Sequence, residues 1–299
     1  MNNTGWEELQ REQNGIRILA LCTGGFILFG FILFFWQAMS FRMPLFGVLF
    51  IIMGFVFGIL VWKRYTGFKS LYKTLVVNKA AEGLFDRYIY DPNAGFSSDE
   101  IRATGIMAMG NRYKSEDTVE GIYKGVTFRR ADIYIAQHTS NGKSSHTTIY
   151  IQGTWIEFDY NKSFNTDLQI LSKDFSFSNK KSSRLFTRAA ERRHAFQTES
   201  EEFNRLFTCT CQDENEAFYL LTPRLMQMLQ LLKTEIGRPF MLGFVNNRLH
   251  FVISSHADHM EPSVFGSLDF KVEVEQVRRE LMIIRNVIDS LAMDRRLFE

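Results

Sequence analysis

Cysteine is scarce in this chain: three residues in 299, Cys22 alone and Cys209 with Cys211 as a C-x-C pair. An odd and sparse set excludes a disulfide framework, fits no zinc-binding spacing, and suits a reducing cytosol. The paired thiols are one pleat repeat apart, so they are expected on the same side of a strand rather than around a metal. Catalytic signatures are missing too. The sequence has no G-x-x-x-x-G-K-[ST] loop, no G-x-G-x-x-G after a strand, no G-x-S-x-G elbow and no H-E-x-x-H. This weakens an enzymatic reading without removing it, because catalytic residues can be far apart in sequence. A net charge of only +2 argues against a nucleic-acid-binding surface. Neither a Pro/Gly/Ser linker nor an internal repeat divides the later part of the chain.

The most informative absence is that of charge near the N-terminus. Two runs, ILALCTGGFILFGFILFFW (18–36) and MPLFGVLFIIMGFVFGILVW (43–62), contain no Asp, Glu, Lys or Arg and are separated only by QAMSFR. At the helical rise each covers roughly 30 Å, the hydrocarbon thickness of a bilayer. The reading is a transmembrane helical hairpin. Buried core helices do not fit a six-residue connection between runs this apolar. A cleaved signal peptide does not fit a first run this long, with no A-x-A-like site and a second span directly after it. No ionisable group inside either span suggests a proton relay or ion path.

Orientation follows from the basic residues. Arg11 and Arg17 precede the first span, Lys63, Arg64, Lys69 and Lys73 follow the second, and Arg42 alone occupies the turn. The positive-inside rule places both termini in the cytoplasm, as for a multi-pass protein of the cell (inner) membrane. Gly47, Gly54 and Gly58 share one helix face, which lets another backbone approach closely, within the hairpin or in a homo-oligomer. Residues 63–83 form a basic amphipathic helix, laid on the membrane or continuing the span as a stalk. The expected organisation is a cytosolic tail (1–17), the hairpin (18–62), this helix (63–83) and a cytosolic domain (84–299).

The domain reads as α+β, first β-rich and then mixed. Lys124-Gly125 and Asn141-Gly142 are turn signals between strands. In WIEFDY, Ile156, Phe158 and Tyr160 alternate with Trp155, Glu157 and Asp159, which predicts one buried side and one wet side. Thr222-Pro223 opens a helix that Gly237 ends. MLGFVNNRLHFVIS is a hairpin turning at Asn246-Asn247, and Val274, Val277, Leu281, Ile284, Ile288 and Leu291 mark a last helix packed on its own sheet. These form a late helix-hairpin-helix unit.

Two polar clusters stand out. His256, Asp258, His259 and Glu261 have residue types and spacing that could hold zinc or another divalent metal, although a polar loop is the simpler account. They are the residues on which a membrane-anchored metal-dependent hydrolase or transferase would rest. Lys180, Lys181, Arg184, Arg188, Arg192 and Arg193 form a basic run that could meet anionic lipid, or serve as a solvated connection. No cofactor-binding or catalytic residue is assigned. His138 and His146 flank the Asn141-Gly142 turn as loop residues.

The ordered series of segments resembles a family. Two N-terminal spans, YKSEDTVEGIYKGVTFRRADI, IQGTWIEFDYNKSFNTDLQIL, EEFNRLFTCTCQDENEAFYLLTPRLMQMLQLL and PFMLGFVNNRLHFVIS look like the bacterial membrane proteins grouped as domain of unknown function 3137. The most specific pieces are Gly153, Asp159-Tyr160-Asn161-Lys162, Glu202-Phe203 ahead of Phe207, and Glu216-Ala217 leading into Leu221-Thr222-Pro223. The resemblance runs from the hairpin to about Pro262 and implies an inner-membrane protein with a cytosolic domain and no established activity. Where the family has an aromatic before a late acidic residue, this chain has His259-Met260-Glu261, so the resemblance carries no metal role to the histidines. The combined expectation is a membrane-tethered module that binds a protein or lipid partner at the cytoplasmic face.

Overall fold

The computed structural model describes residues 3–40, 43, 45–142, 144–159, 167–175, 193–255, 261–262, 264–266 and 268–292. The chain divides into two compact units, Met1–Lys79 with Met260–Val277, and Ala80–His259 with Arg278–Glu299.

The first unit is built on two long helices, α1 (Asn3–Met39) and α2 (Leu45–Ala81). Both are long and apolar enough to cross a membrane. Each outruns its apolar stretch. Helix α1 takes in residues 3–17, which composition alone leaves as a tail, and α2 continues unbroken through the basic segment to Ala81. The reason is a second, more ordinary amphipathic pattern below the apolar runs. Leu9, Gln13 and Ile16 recur at helical spacing and are buried, as are Phe68, Tyr72 and Val76. Gly15 lies against Arg64 and Gly5 against Leu75, so the two helices stay side by side down to that base.

The second unit is a nine-stranded, wholly antiparallel sheet in the order β1-β2-β3-β4-β9-β8-β5-β7-β6. Its strands are β1 (Arg87–Asp91), β2 (Arg112–Tyr123), β3 (Val126–Ser140), β4 (Ser145–Asp159), β5 (Leu168–Ser172), β6 (His194–Phe196), β7 (Phe207–Cys211), β8 (Phe240–Val245) and β9 (Arg248–Ser254). Helices α3 (Ser98–Thr104), α4 (Glu201–Leu206), α5 (Glu214–Leu220), α6 (Pro223–Ile236) and α7 (Phe270–Ala292) complete the chain. The β2–β3 turn sits on Lys124 and Gly125, both at positive φ, and Asn246 and Asn247 do the same for β8–β9. Helix α6 starts on a Thr222 side-chain cap with Pro at its first turn and stops at left-handed Gly237.

One expectation is corrected. Neither side of the 155–159 stretch is wholly wet: Trp155 is buried along with Ile156 and Phe158. The cause is a cover over the Trp155 side of the sheet. Helix α3, closed by a Ser97–Glu100 capping box, and its flanking residues bring Phe96, Ile101, Ile106 and Met107 onto Ala131, Ile133, Trp155 and Val252. On the opposite side a ladder of rings, Phe203–Phe207–Phe240–Phe251, ties α4 to β7, β8 and β9 at centroid distances of 4.7, 5.7 and 5.0 Å. Tyr160 lies outside the described residues.

Candidate functional site

The feature with the clearest physical demand on its surroundings is the paired apolar helices. Along 18–62 the bulky side chains point outward: Ile18, Leu21, Leu28, Phe35, Leu49, Phe55, Ile59 and Trp62 are all exposed. A core helix of a soluble protein would have these covered. Within this apolar part, α1 and α2 pack on each other. A Cβ added to Gly47 would lie 2.5 Å from the Phe34 backbone nitrogen, and one on Gly54 would lie 2.5 Å from Ile27 Cγ1. At Gly58 the nearest atom is Thr23 Cγ2 at 3.8 Å, an ordinary contact. Gly47 and Gly54 therefore allow close backbone approach inside the hairpin, and Phe26 stacks on Phe57 at 5.2 Å beside them.

At the base of the hairpin the charge pattern changes sharply. Residues 261–270 return to the first unit, and Glu261 pairs with Lys69 and, at 3.4 Å, with the buried Lys73. Tyr72 donates its hydroxyl to Glu273 at 2.5 Å, and Trp6 rests against Phe270 with centroids 4.8 Å apart. Arg17, the last residue before the apolar run, donates to the carbonyls of Val264 (2.7 Å) and Gly266 (2.5 Å), and Gln13 also donates to Gly266 (3.0 Å). Several cations that the charge pattern assigns to headgroups are thus held by protein acceptors.

In the sheet unit several buried titratable groups are held in unreactive forms. His250, only 3% exposed, accepts a hydrogen bond from Trp155 Nε1 at 3.2 Å on Nδ1. Burial, with the Arg248 charge second, pushes its pKa down to about 3, so it is neutral at physiological pH. Cys209 and Cys211 are both buried on one side of β7, and burial raises their thiols to about 12 and about 11, far from a nucleophilic thiolate. Arg130, also nearly inaccessible, donates to Asp132 Oδ1 (2.6 Å), Thr154 Oγ1 (3.1 Å) and the Asp117 carbonyl (3.1 Å). Tyr90 donates to Asp117 Oδ1 at 2.7 Å, and burial raises its pKa. Sequence reasoning singles out neither His250 nor Arg130. The signal for the first is that His250 is the one polar residue in the LHFVI stretch of β9, whose side chains are apolar on both faces.

Of the sequence candidates, His256, Asp258 and His259 lie outside the described residues, and Glu261 is engaged by the two lysines. Among the described residues no group of three His, Cys, Asp or Glu side chains comes together to hold a metal ion. Lys180, Lys181, Arg184, Arg188 and Arg192 also lie outside the described residues. Arg193 is described and buried: its guanidinium reaches Asp167 (3.1 Å), the Gly105 carbonyl (3.3 Å) and Gln169 (3.4 Å), which leaves it no surface for a headgroup. His138 is half-buried near the end of β3, its Nδ1 2.9 Å from Thr147 Oγ1.

Compared with known proteins, residues 150–293 match the family model described as protein of unknown function DUF3137. No curated protein and no solved structure gives a match. The matched span runs from β4 to the end of α7. It includes Gly153, the 159–162 stretch and the 202–223 pieces on which the resemblance rests, and the last helix besides, while the hairpin and strands β1–β3 precede it.

Proposed function

From the premise of that family match over residues 150–293, we propose that this chain is a membrane-anchored interaction module. The hairpin crosses the inner membrane of a bacterial cell with both termini in the cytoplasm, and the sheet unit recruits a protein partner at the cytoplasmic face. The observation that carries the anchor is the exposure of most of the described large apolar side chains between Ile18 and Trp62, which water would penalise by about 25 cal/mol for each Å². Arg42 alone in the turn, against the basic residues at the base, supports the orientation.

For recruitment, the support is the open sheet edge. Among the described residues strand β1 is outermost, pairs with β2 alone and holds Ile89 exposed on it, the features of a strand that a partner can extend. Helix α6, the β8–β9 hairpin and α7 act as the packing support of that sheet, and Arg238–Glu280 at 2.8 Å supports this grouping. Lys180, Lys181, Arg184, Arg188 and Arg192 add a lipid contact by their charge. Gly54 and Gly58 belong to the hairpin's own packing, and a homo-oligomer would use other faces. Alkaline carbonate extraction of cell membranes tests the anchor: the chain stays in the pellet and leaves it only with detergent. Its recovery in the alkaline supernatant would overturn the proposal.

A further inference from the structure

We infer that the stretch Val264–Gly266 forms a third membrane contact, an interfacial one, with Phe265 inserted at the level where α1 enters the bilayer. The inference rests on the anchor reading above and adds a site to it. Three observations fix the place. Arg17 is the residue immediately before the apolar run, and it holds the carbonyls on either side of Phe265, those of Val264 and Gly266. Gln13, one turn earlier, holds the Gly266 carbonyl as well. The segment therefore lies along one stripe of α1, beside the turn from Gln13 to Arg17.

The next position on that stripe, four residues on, is Leu21, which is 71% exposed, and Leu28 follows on the same side, exposed too. The segment is thus seated on the outward, lipid-facing side of the hairpin, just below the point where that side becomes wholly apolar. Within it Phe265 is 72% exposed, although its two neighbours are fixed by hydrogen bonds. A large ring fixed in space, uncovered by protein and contiguous with a lipid-facing stripe has the bilayer interface as its natural solvent. The sequence agrees: PSVFGSL, between Glu261 and Asp269, carries no charge. The occupant to which this points is the lipid surface, because the hydrogen bonds from Arg17 satisfy the part-buried carbonyls that would otherwise resist entry into the interface.

The test uses the full chain in lipid vesicles, with an environment-sensitive fluorophore on Phe265→Cys in a Cys22→Ser background; Cys209 and Cys211 are buried. Phe35→Cys reports the span and Ser145→Cys, on the exposed β3–β4 arm, reports water. Lipids brominated high on the acyl chain should at least halve the emission from position 265 and shift it to the blue, while position 145 is unaffected and position 35 responds most to deep bromines. Emission at 265 that matches 145 while 35 is quenched overturns the interfacial contact and leaves the anchor standing. Absence of quenching at 35 overturns the anchor, and the contact with it.

Discussion

At the scale of single residues, the sheet unit is organised around polar groups that burial has silenced. His250 is the clearest, because its folded imidazole stays neutral down to about pH 3 whereas the unfolded one protonates at 6.5. With the folded pKa depressed, the stabilisation is fully present above the unfolded value and is lost as pH falls between the two. Stability should decline by about 1.4 kcal/mol per pH unit over that window from this residue alone. Urea unfolding of the full chain in detergent, followed at about pH 7 and about pH 5, should show that loss, and His250→Gln should remove most of the slope. An unchanged slope in the variant would assign the pH dependence to other groups. Arg130 makes a second prediction. Arg130→Met removes one donor from the Asp117 carbonyl and one from Asp132 Oδ1, which keeps Thr154 Oγ1, so the unfolding free energy should drop by about 3 kcal/mol. A change within about 0.5 kcal/mol would mean the network contributes packing only. Neither residue was legible beforehand, since a polar side chain in a strand takes its character from what covers that face, and here the cover comes from other parts of the chain.

At the scale of elements, the hairpin was legible because absence of charge over a bilayer's length is a one-dimensional property. The turns were legible for a similar reason: Lys124-Gly125 and Asn246-Asn247 need positive φ locally, whatever surrounds them. The continuation of α2 as a stalk was one of the two readings of 63–83; what escaped was the early start of α1 and the second cover on the sheet. Leu9, Gln13 and Ile16 are spaced for a helix but sit among charged residues, so their burial depends on α2 and the returning segment. Helix α3 escaped because its seven residues hold too few apolar positions for a periodicity. The glycines give a graded prediction. Gly47→Ala drives a Cβ into the Phe34 backbone, Gly54→Ala into Ile27 Cγ1 with the Ile27 backbone nitrogen at 3.3 Å, and Gly58→Ala into an ordinary contact with Thr23 Cγ2. Thermal unfolding in detergent should rank the losses in that order, with about 1–3 kcal/mol at Gly47 and little change at Gly58. Equal losses at the three positions would mean that the close approach at Gly47 does not set the helix spacing.

At the scale of the whole molecule, the family match covers the part of the chain that begins in β4, while the anchor lies before it. Together they give an apolar hairpin with faces suited to lipid, and a sheet unit with an edge strand in which His250, Cys209 and Cys211 are buried in unreactive forms. The metal and catalytic reading had rested on residue types alone, and of its four residues the described one, Glu261, is a partner of lysines. The central claim is that the hairpin crosses the bilayer once in each direction. Met43→Cys at the turn and Ser145→Cys on the sheet unit, each alone in a Cys22→Ser background, put it to the test with a membrane-impermeant maleimide. In intact spheroplasts Met43→Cys should be labelled and Ser145→Cys protected, and in inverted vesicles the pattern should reverse. Labelling of both positions from the same side in either preparation would contradict a spanning hairpin.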